Sequence, residues 1–108
     1  KRGWYLAHRG SLIQRARQNR DRTATENRTR LHAYLAERQC VDCGEQDRAV
    51  LEFDHLRDKT TEVSSMVSTG WSWKRILEEI AKCEVVCTNC HKRRTRRRLA
   101  EERVELAS

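Results

Sequence analysis

The sequence predicts a mostly helical α+β domain held together by a structural metal ion. Three observations predict this class. Several segments have the apolar spacing of helices, two short apolar segments between them favour strands, and four of the five cysteines form Cys-x-x-Cys pairs. With 37% hydrophobic and 36% charged residues, a chain of 108 residues buries little apolar surface, so a metal staple is expected.

Residues 1–39 are predicted to form a basic N-terminal helical extension. Residues 4–18 have helical spacing that Gly10 interrupts, residues 19–27 are polar and predict a connector, and residues 28–38 make the better amphipathic helix. In that second helix the apolar side chains recur at i, i+3 and i+4 as Leu31, Tyr34 and Leu35.

Residues 40–99 are predicted to form the core of the domain. The segment 49–56 predicts a strand, and the polar segment 57–71 predicts a loop. Ser72 can cap a helix that runs from about Trp73 to Lys82, because a serine oxygen accepts from free N–H groups of a first helical turn. The apolar stripe of this helix is Ile76, Leu77 and Ile80.

The last predicted elements are an extended segment and a basic helix. Val85 and Val86 are β-branched and favour a strand, and the second cysteine pair leads into a helix from about His91 to beyond Leu99. Residues 100–108 are predicted to be the end of this helix or a tail. Of the two tryptophans beside Ser72, Trp73 is predicted to lie in the core, and Trp71 is open between core packing and base stacking.

The four paired cysteines predict a structural zinc site. Cys40 and Cys43 are separated from Cys87 and Cys90 by the 43 residues from 44 to 86, and Gly44 closes the first pair. Four thiolates fill a tetrahedral zinc site and leave no open position for chemistry. Two redox or free-thiol pairs are the alternative, and the fifth cysteine, Cys83, is predicted to be a small buried hydrophobe rather than a ligand.

The charge pattern predicts a polyanionic partner. Residues 1–30 carry a net charge of +7, residues 31–91 carry −4 and residues 92–98 carry +6. Two cationic blocks thus flank an acidic centre, as suits a protein that grips nucleic acid at its flanks and keeps carboxylates in the middle. The sequence has no apolar segment long enough for a membrane span and no secretory signal, so no membrane partner and a cytoplasmic location are expected.

Three residues between and beside the cysteine pairs are candidates for chemistry. Asp54 and His55 end the predicted strand, and His91 follows the last paired cysteine. Each one alone is more often surface polarity or a satisfied helix-start residue. Together they are more informative, because the zinc staple brings the strand end close to the start of the basic helix.

These motifs resemble those of the HNH endonucleases, most closely the zinc-knuckle members of phages and mobile elements. The resemblance covers about residues 40–95 and consists of Cys-x-x-Cys, then Leu-Glu-Phe-Asp-His, then Lys-Cys-Glu-Val-Val-Cys-x-x-Cys-His followed by basic residues. It implies a ββα-metal core and a metal-dependent hydrolase that cuts DNA phosphodiester bonds.

The resemblance also implies residue roles. His55 would be the general base that activates water, and Asp54 and His91 would hold a catalytic divalent ion, Mg²⁺ or Mn²⁺ by donor chemistry. The middle asparagine of the family commonly stands five residues before the third cysteine, where this sequence has Lys82. Asn89 lies inside the second cysteine pair and is not its equivalent.

Strand geometry limits this arrangement. Successive residues of a regular strand face opposite sides of a sheet. The strand is therefore predicted to end or bulge at Asp54 and His55, so that Asp54 turns to the metal and His55 faces the attacking water.

The basic residues predict phosphate contacts with weak sequence preference, most simply to double-stranded DNA. The N-terminal arginines are expected to form a second phosphate-binding arm. The candidate nucleic-acid contacts around the site are Arg57, Lys59, Lys92, Arg93, Arg94, Arg96 and Arg97.

Two other functions fit the same sequence. One is a zinc module that binds nucleic acid without cutting it. The other is an accessory subunit that works only with partner proteins of a phage packaging or mobile-element complex.

Overall fold

The computed structural model describes residues 2–107, so the predictions for Lys1 and Ser108 fall outside the described residues. The described chain is mostly helical with one small antiparallel sheet, as the α+β prediction requires. Its elements are α1 (Arg2–Ala36), a 3-10 turn (Arg48–Val50), β1 (Leu51–His55), α2 (Val63–Ser68), α3 (Trp73–Ile80), β2 (Cys83–Cys87) and α4 (Thr88–Ala107).

Helix α1 is one continuous helix of 35 residues, so the predicted break at Gly10 and connector at 19–27 are wrong. A glycine inside an exposed helix costs only about 1 kcal/mol, which is too little to end it. In the polar segment, the hydroxyls of Thr23 and Thr25 donate to backbone carbonyls four residues earlier and so stay compatible with the helix.

The second half of α1 packs on the rest of the domain. Ala24, Asn27 and Leu35 are buried, and the Asn27 side-chain nitrogen donates to the carbonyl of Trp71 at 2.9 Å. Gly70 lies against the backbone of α1, where an added Cβ would come within 2.9 Å of the Arg20 side chain. The polar segment 19–27, for which a connector is predicted, therefore packs against the rest of the domain.

Strands β1 and β2 form a regular antiparallel pair from Leu51 opposite Cys87 to His55 opposite Cys83. The ladder continues past the strand, since the N–H of Leu56 donates to the carbonyl of Lys82 at 2.9 Å. Of the two predicted alternatives, an end or a bulge at Asp54 and His55, the bulge is wrong: β1 ends at His55 with regular pairing. Consecutive side chains of β1 therefore face opposite sides of the sheet.

The predicted loop 57–71 contains helix α2, whose Val63, Met66 and Val67 are buried. Their i, i+3, i+4 spacing is the signal that could have revealed this helix. Helix α3 is confirmed with its cap, because the Ser72 hydroxyl accepts from the N–H of Arg75 at 3.3 Å.

Two apolar clusters form the core. One gathers around β2 and the cysteine pairs, and the other joins α2 to α3. Leu31, Tyr34 and Phe53 pack against both clusters and connect them. Trp71 and Trp73 both pack partly buried at the edge of the second cluster. Within residues 2–107, no helix has the length and apolar character needed to cross a bilayer.

Candidate functional site

The first cysteine pair lies on a tight turn between α1 and β1. Gly44 has a φ of 82°, in the left-handed region that favours glycine. Its N–H donates to the carbonyl of Cys40 at 2.8 Å, and the N–H of Cys40 donates to the carbonyl of Glu45 at 2.8 Å. These bonds close the turn that carries the buried Cys40 and the exposed Cys43.

The second pair completes a four-thiol cluster. The sulfur atoms of Cys40, Cys43, Cys87 and Cys90 all lie within 4.8 Å of one another. The sulfurs of Cys43 and Cys87 are 3.7 Å apart. A zinc ion with Zn–S bonds of about 2.3 Å has tetrahedral sulfur–sulfur edges of about 3.8 Å, so the cluster has the size of a zinc site. Cys83 lies outside it, with its thiol donating to the carbonyl of Glu79 at 3.4 Å.

The surroundings of the thiols differ. Burial raises the pKa of the Cys40 thiol, but hydrogen bonds from the backbone at Cys87, Cys43 and Asp42 outweigh it and bring that pKa to about 6. Burial and the neighbouring thiols raise the pKa of Cys90 to about 12. Full ionisation of the cluster therefore requires a bound cation.

Asp54 faces α4 and is buried beneath two guanidinium groups. Arg98 donates to both carboxylate oxygens at 2.8 and 2.7 Å, and Arg94 donates to Oδ2 at 2.8 Å. The Arg98 hydrogen bonds, with those of Arg94, outweigh the effect of burial and lower the pKa of Asp54 to about 2. Asp54 is therefore an anion whose neighbours are cations.

His91, in the first turn of α4, lies beside Asp54. Its Nε2 is 3.5 Å from Oδ1 of Asp54, and its Nδ1 is 2.9 Å from Oε1 of Glu52. Glu52 holds Nδ1 of the imidazole, so Nε2 is the nitrogen that faces Asp54. Sequence analysis missed Glu52, although its position two residues before Asp54 places both on one face of β1.

His55 lies on the opposite face of the sheet. Its Nε2 is 2.9 Å from Oε2 of Glu79, and its side chain is 9% exposed. Within residues 2–107, no group forms a hydrogen bond with Nδ1 of His55, and this atom is not fully buried. Glu79 therefore holds one ring nitrogen of His55, and no group of the described residues holds the other.

Glu79 is the second residue that sequence analysis missed. The N–H of Thr60 donates to its Oε2 at 3.0 Å, and the ammonium of Lys82 donates to its Oε1 at 2.9 Å. Burial raises the pKa of Glu79, but hydrogen bonds from Thr60, Lys82 and His55 lower it more, to about 2. The sequence signal that could have revealed Glu79 is its position on the same helix face as Ile76 and Ile80, where a carboxylate is unexpected.

Glu62, just before α2, lines a cavity together with His91. A hydrogen bond from Lys59 is the largest cause that lowers the pKa of Glu62, and His55 and His91 add to it.

The predicted cationic residues occupy different environments. Lys92 and Arg96 line a groove of about 380 Å³ together with His91 and Glu52. Arg93 and Arg97 are exposed on the same helix, and Arg57 and Lys59 lie in the exposed loop after His55. Arg57 donates to the carbonyl of Ala81 at 3.5 Å, and Lys59 pairs with Glu62.

Arg94 stands apart from these cations. Its side chain is 12% exposed and pairs with Asp42 at 2.7 Å, Asp54 at 2.8 Å and Glu84 at 3.1 Å. Hydrogen bonds to Asp42 and Asp54 raise its pKa further. The guanidinium of Arg94 is therefore paired with carboxylates of this chain, unlike the exposed cations predicted to contact phosphate.

No protein-family model matches the chain, and no curated protein or solved structure is significantly similar to it.

Proposed function

We propose that the protein is a metal-dependent DNA endonuclease of the HNH type. The observation that carries the proposal is the juxtaposition of His91 and Asp54, whose Nε2 and Oδ1 atoms lie 3.5 Å apart. A carboxylate and an imidazole from separate elements, with Glu52 on the far nitrogen of the imidazole, form the carboxylate–histidine arrangement common at metal sites. The HNH-like motifs of the sequence supply further support.

Asp54 and His91 would hold the catalytic ion. The donor set suits Mg²⁺ or Mn²⁺, and Asp54 already attracts cations, since both of its oxygens accept from guanidinium groups. Arg98 is half exposed, so its side chain has room to leave the carboxylate. When bound, such an ion supplies positive charge to the scissile phosphate and to the departing 3′ oxygen.

His55 takes the proton from the attacking water in this proposal. Its Nε2 is occupied by Glu79, so Nδ1 is the atom that accepts the proton. A neutral imidazole suits this role near pH 7. Because His55 and Asp54 lie on opposite faces of the sheet, the substrate phosphate would have to reach both side chains around the end of β1.

The zinc cluster has a structural role in this arrangement. Cys40 and Cys43 precede β1, Cys87 ends β2 and Cys90 lies in the first turn of α4. One ion bound to all four thiols fixes the start of α4, and with it His91, against the sheet that carries Asp54. Its coordination shell is filled by sulfur and leaves no site for substrate.

The exposed cations supply the DNA contacts. Lys92 and Arg96 border the groove beside His91, and Arg93, Arg97, Arg57 and Lys59 extend the positive surface around it. The exposed arginines of the first half of α1 form a second contact region. Contacts to phosphate do not read sequence, so weak preference and strong dependence on salt follow.

The pairing of Asp54 with two arginines favours one alternative. If both guanidinium groups stay in place, Asp54 binds no ion, and the protein is a zinc-stapled module that binds nucleic acid without cutting it. Its charges and zinc site would then serve binding alone.

A plasmid-nicking assay separates the two functions. Supercoiled DNA is incubated with zinc-loaded protein in Mg²⁺ or Mn²⁺. The tests are omission of the added ion, His55→Ala and His91→Ala, because a strong chelator would also remove the structural zinc. His32→Ala is the matched control, because His32 is exposed on α1. Nicking that requires the ion and both histidines supports the nuclease. Tight binding with no nicking in either ion, or nicking that survives both histidine substitutions, overturns it.

A further inference from the structure

A buried charged network surrounds the imidazole of His55. It consists of the Glu79 carboxylate, the Lys82 ammonium and the loop that follows β1. We infer that Glu79 and Lys82 are positioning residues for His55. They fix the imidazole ring with Nε2 protonated, so that Nδ1 is the nitrogen that accepts the proton of the attacking water. This inference rests on the proposed function only in naming the reaction.

The hydrogen bonds decide which nitrogen of His55 carries the proton. Oε2 of Glu79 accepts from the N–H of Thr60 at 3.0 Å, and Oε1 accepts from Lys82 at 2.9 Å. A carboxylate held by these donors is ionised and has only lone pairs to offer. The 2.9 Å contact therefore requires His55 to donate from Nε2, and in the neutral imidazole this leaves the lone pair on Nδ1.

The burial of Glu79 indicates that this contact has a purpose beyond stability. Glu79 is 3% exposed on the face of α3 that carries Ile76 and Ile80. Burying a charge is costly, and an apolar side chain of similar size often replaces a buried ion pair without loss of stability. A carboxylate at this position is therefore best explained by the imidazole that it holds.

Lys82 fixes the remaining side of the network. Its ammonium donates to Oε1 of Glu79, to the carbonyl of Asp58 at 2.9 Å and to the hydroxyl of Thr60 at 3.2 Å. Asp58 has a φ of 45°, in the left-handed region that most residues avoid. One side chain thus neutralises Glu79 and holds the turn directly after His55.

The test combines spectroscopy with kinetics on the zinc-loaded protein. The variants are Glu79→Gln, Lys82→Gln and Lys82→Arg, with Glu78→Gln as the matched control, because Glu78 is exposed on the same helix. Ring nitrogens are observed by long-range ¹H–¹⁵N correlation spectra without catalytic metal. Nicking is measured with Mg²⁺ and with Mn²⁺, and DNA affinity is measured without added catalytic metal and without a chelator, so that the structural zinc stays bound.

The wild type is expected to show His55 protonated at Nε2, with a proton that exchanges slowly with solvent. Glu79→Gln is expected to lose this protected proton and at least about tenfold in kcat, with KM and DNA affinity unchanged. Lys82→Gln lowers kcat in the same way, since it removes the ammonium that holds Oε1 of Glu79, and Lys82→Arg recovers part of the loss. Glu78→Gln behaves as the wild type.

The outcomes for this inference and for the nuclease proposal can be told apart. A wild-type spectrum with the proton on Nδ1, or a Glu79→Gln protein that nicks at the wild-type kcat, overturns the inference while the nuclease stands. A wild type that shows the protected Nε2 proton but nicks in neither ion removes the nuclease and supports the assigned orientation of His55. If Glu79→Gln does not fold, the wild-type spectrum and Lys82→Gln decide.

Discussion

Asp54 and His55 are adjacent in the chain, yet their side chains lie on opposite faces of the β1–β2 sheet. Asp54 lies beneath Arg94 and Arg98 of α4, and His55 lies against Glu79 of α3. The separation follows from the regular register of β1 through His55. Each residue therefore has its own set of partners, and each set gives separate predictions.

Loss of one paired cysteine should abolish zinc binding and the fold together. Structural zinc sites contribute about 10–16 kcal/mol of apparent binding free energy, which is comparable with the whole stability of a small domain. Cys87→Ser is expected to lose the bound zinc and cooperative thermal unfolding. The measurements are zinc content by mass spectrometry and thermal denaturation followed by circular dichroism.

Cys83→Ser is the matched control for this substitution. Cys83 lies outside the four-thiol cluster, so the variant should keep one zinc per chain. A folded Cys87→Ser protein with full zinc content would show that the cluster is not the metal site.

Arg94 should matter for stability more than for DNA binding. Arg94→Ala leaves the buried Asp54 with one guanidinium instead of two and removes the partner of Asp42, so the free energy of unfolding should fall by about 2 kcal/mol. Urea denaturation of the zinc-loaded protein measures this. Arg96→Ala, an exposed position of the same helix, should change stability by less than about 0.5 kcal/mol. Equal stability of the two variants would contradict the role assigned to Arg94.

Lys92 and Arg96 should set part of the salt dependence of DNA binding. Each phosphate contact that is lost lowers the slope of log K against log salt by about 0.9 for duplex DNA. Lys92→Ala and Arg96→Ala should each reduce the slope by about this amount and weaken binding to all sequences alike. Fluorescence anisotropy over a salt series measures it, with the exposed Lys74→Ala on α3 as control. An unchanged slope in both variants would place the DNA elsewhere.

Glu79 should contribute to the stability of the protein in a defined pH range. Although burial raises its pKa, hydrogen bonds from Thr60, Lys82 and His55 lower that pKa from the ordinary 4.5 to about 2, so the folded state favours the ionised form. The stabilisation is fully present above about pH 4.5 and is lost as the pH falls towards about 2. The stability difference between the wild type and Glu79→Gln should therefore shrink over this range.

Urea denaturation measures this difference at several pH values from 6 down to the pH at which protonation of the cysteines releases zinc, which the control Glu78→Gln locates. A difference between the wild type and Glu79→Gln that stays constant over this range, although it extends below pH 4.5, would show that the Glu79 carboxylate is not held as described.

Local sequence patterns determined much of the fold. The apolar spacing of α3, its cap at Ser72 and the extended segment at Val85 and Val86 were predicted correctly, because each depends on neighbours within one or two turns. The continuity of α1 was not predicted, because the buried Asn27 is held by hydrogen bonds to the carbonyls of Val67 and Trp71, which are far away in the chain. Helix α2 was missed since a short helix gives a weak periodic signal.

The candidate site divides in the same way. The sequence by itself determined the four-thiol cluster, because the spacing of cysteines fixes their chemistry, and it also singled out Asp54 and His91. Only the tertiary structure decided which partners these side chains meet. Glu52 pairs with His91, and Glu79 pairs with His55, each from a different element of the fold. Arg94 belongs to the basic run but pairs with Asp42 and Asp54 inside the domain. Such pairings depend on the register of the sheet and on the helices packed on its two faces, which no local pattern encodes.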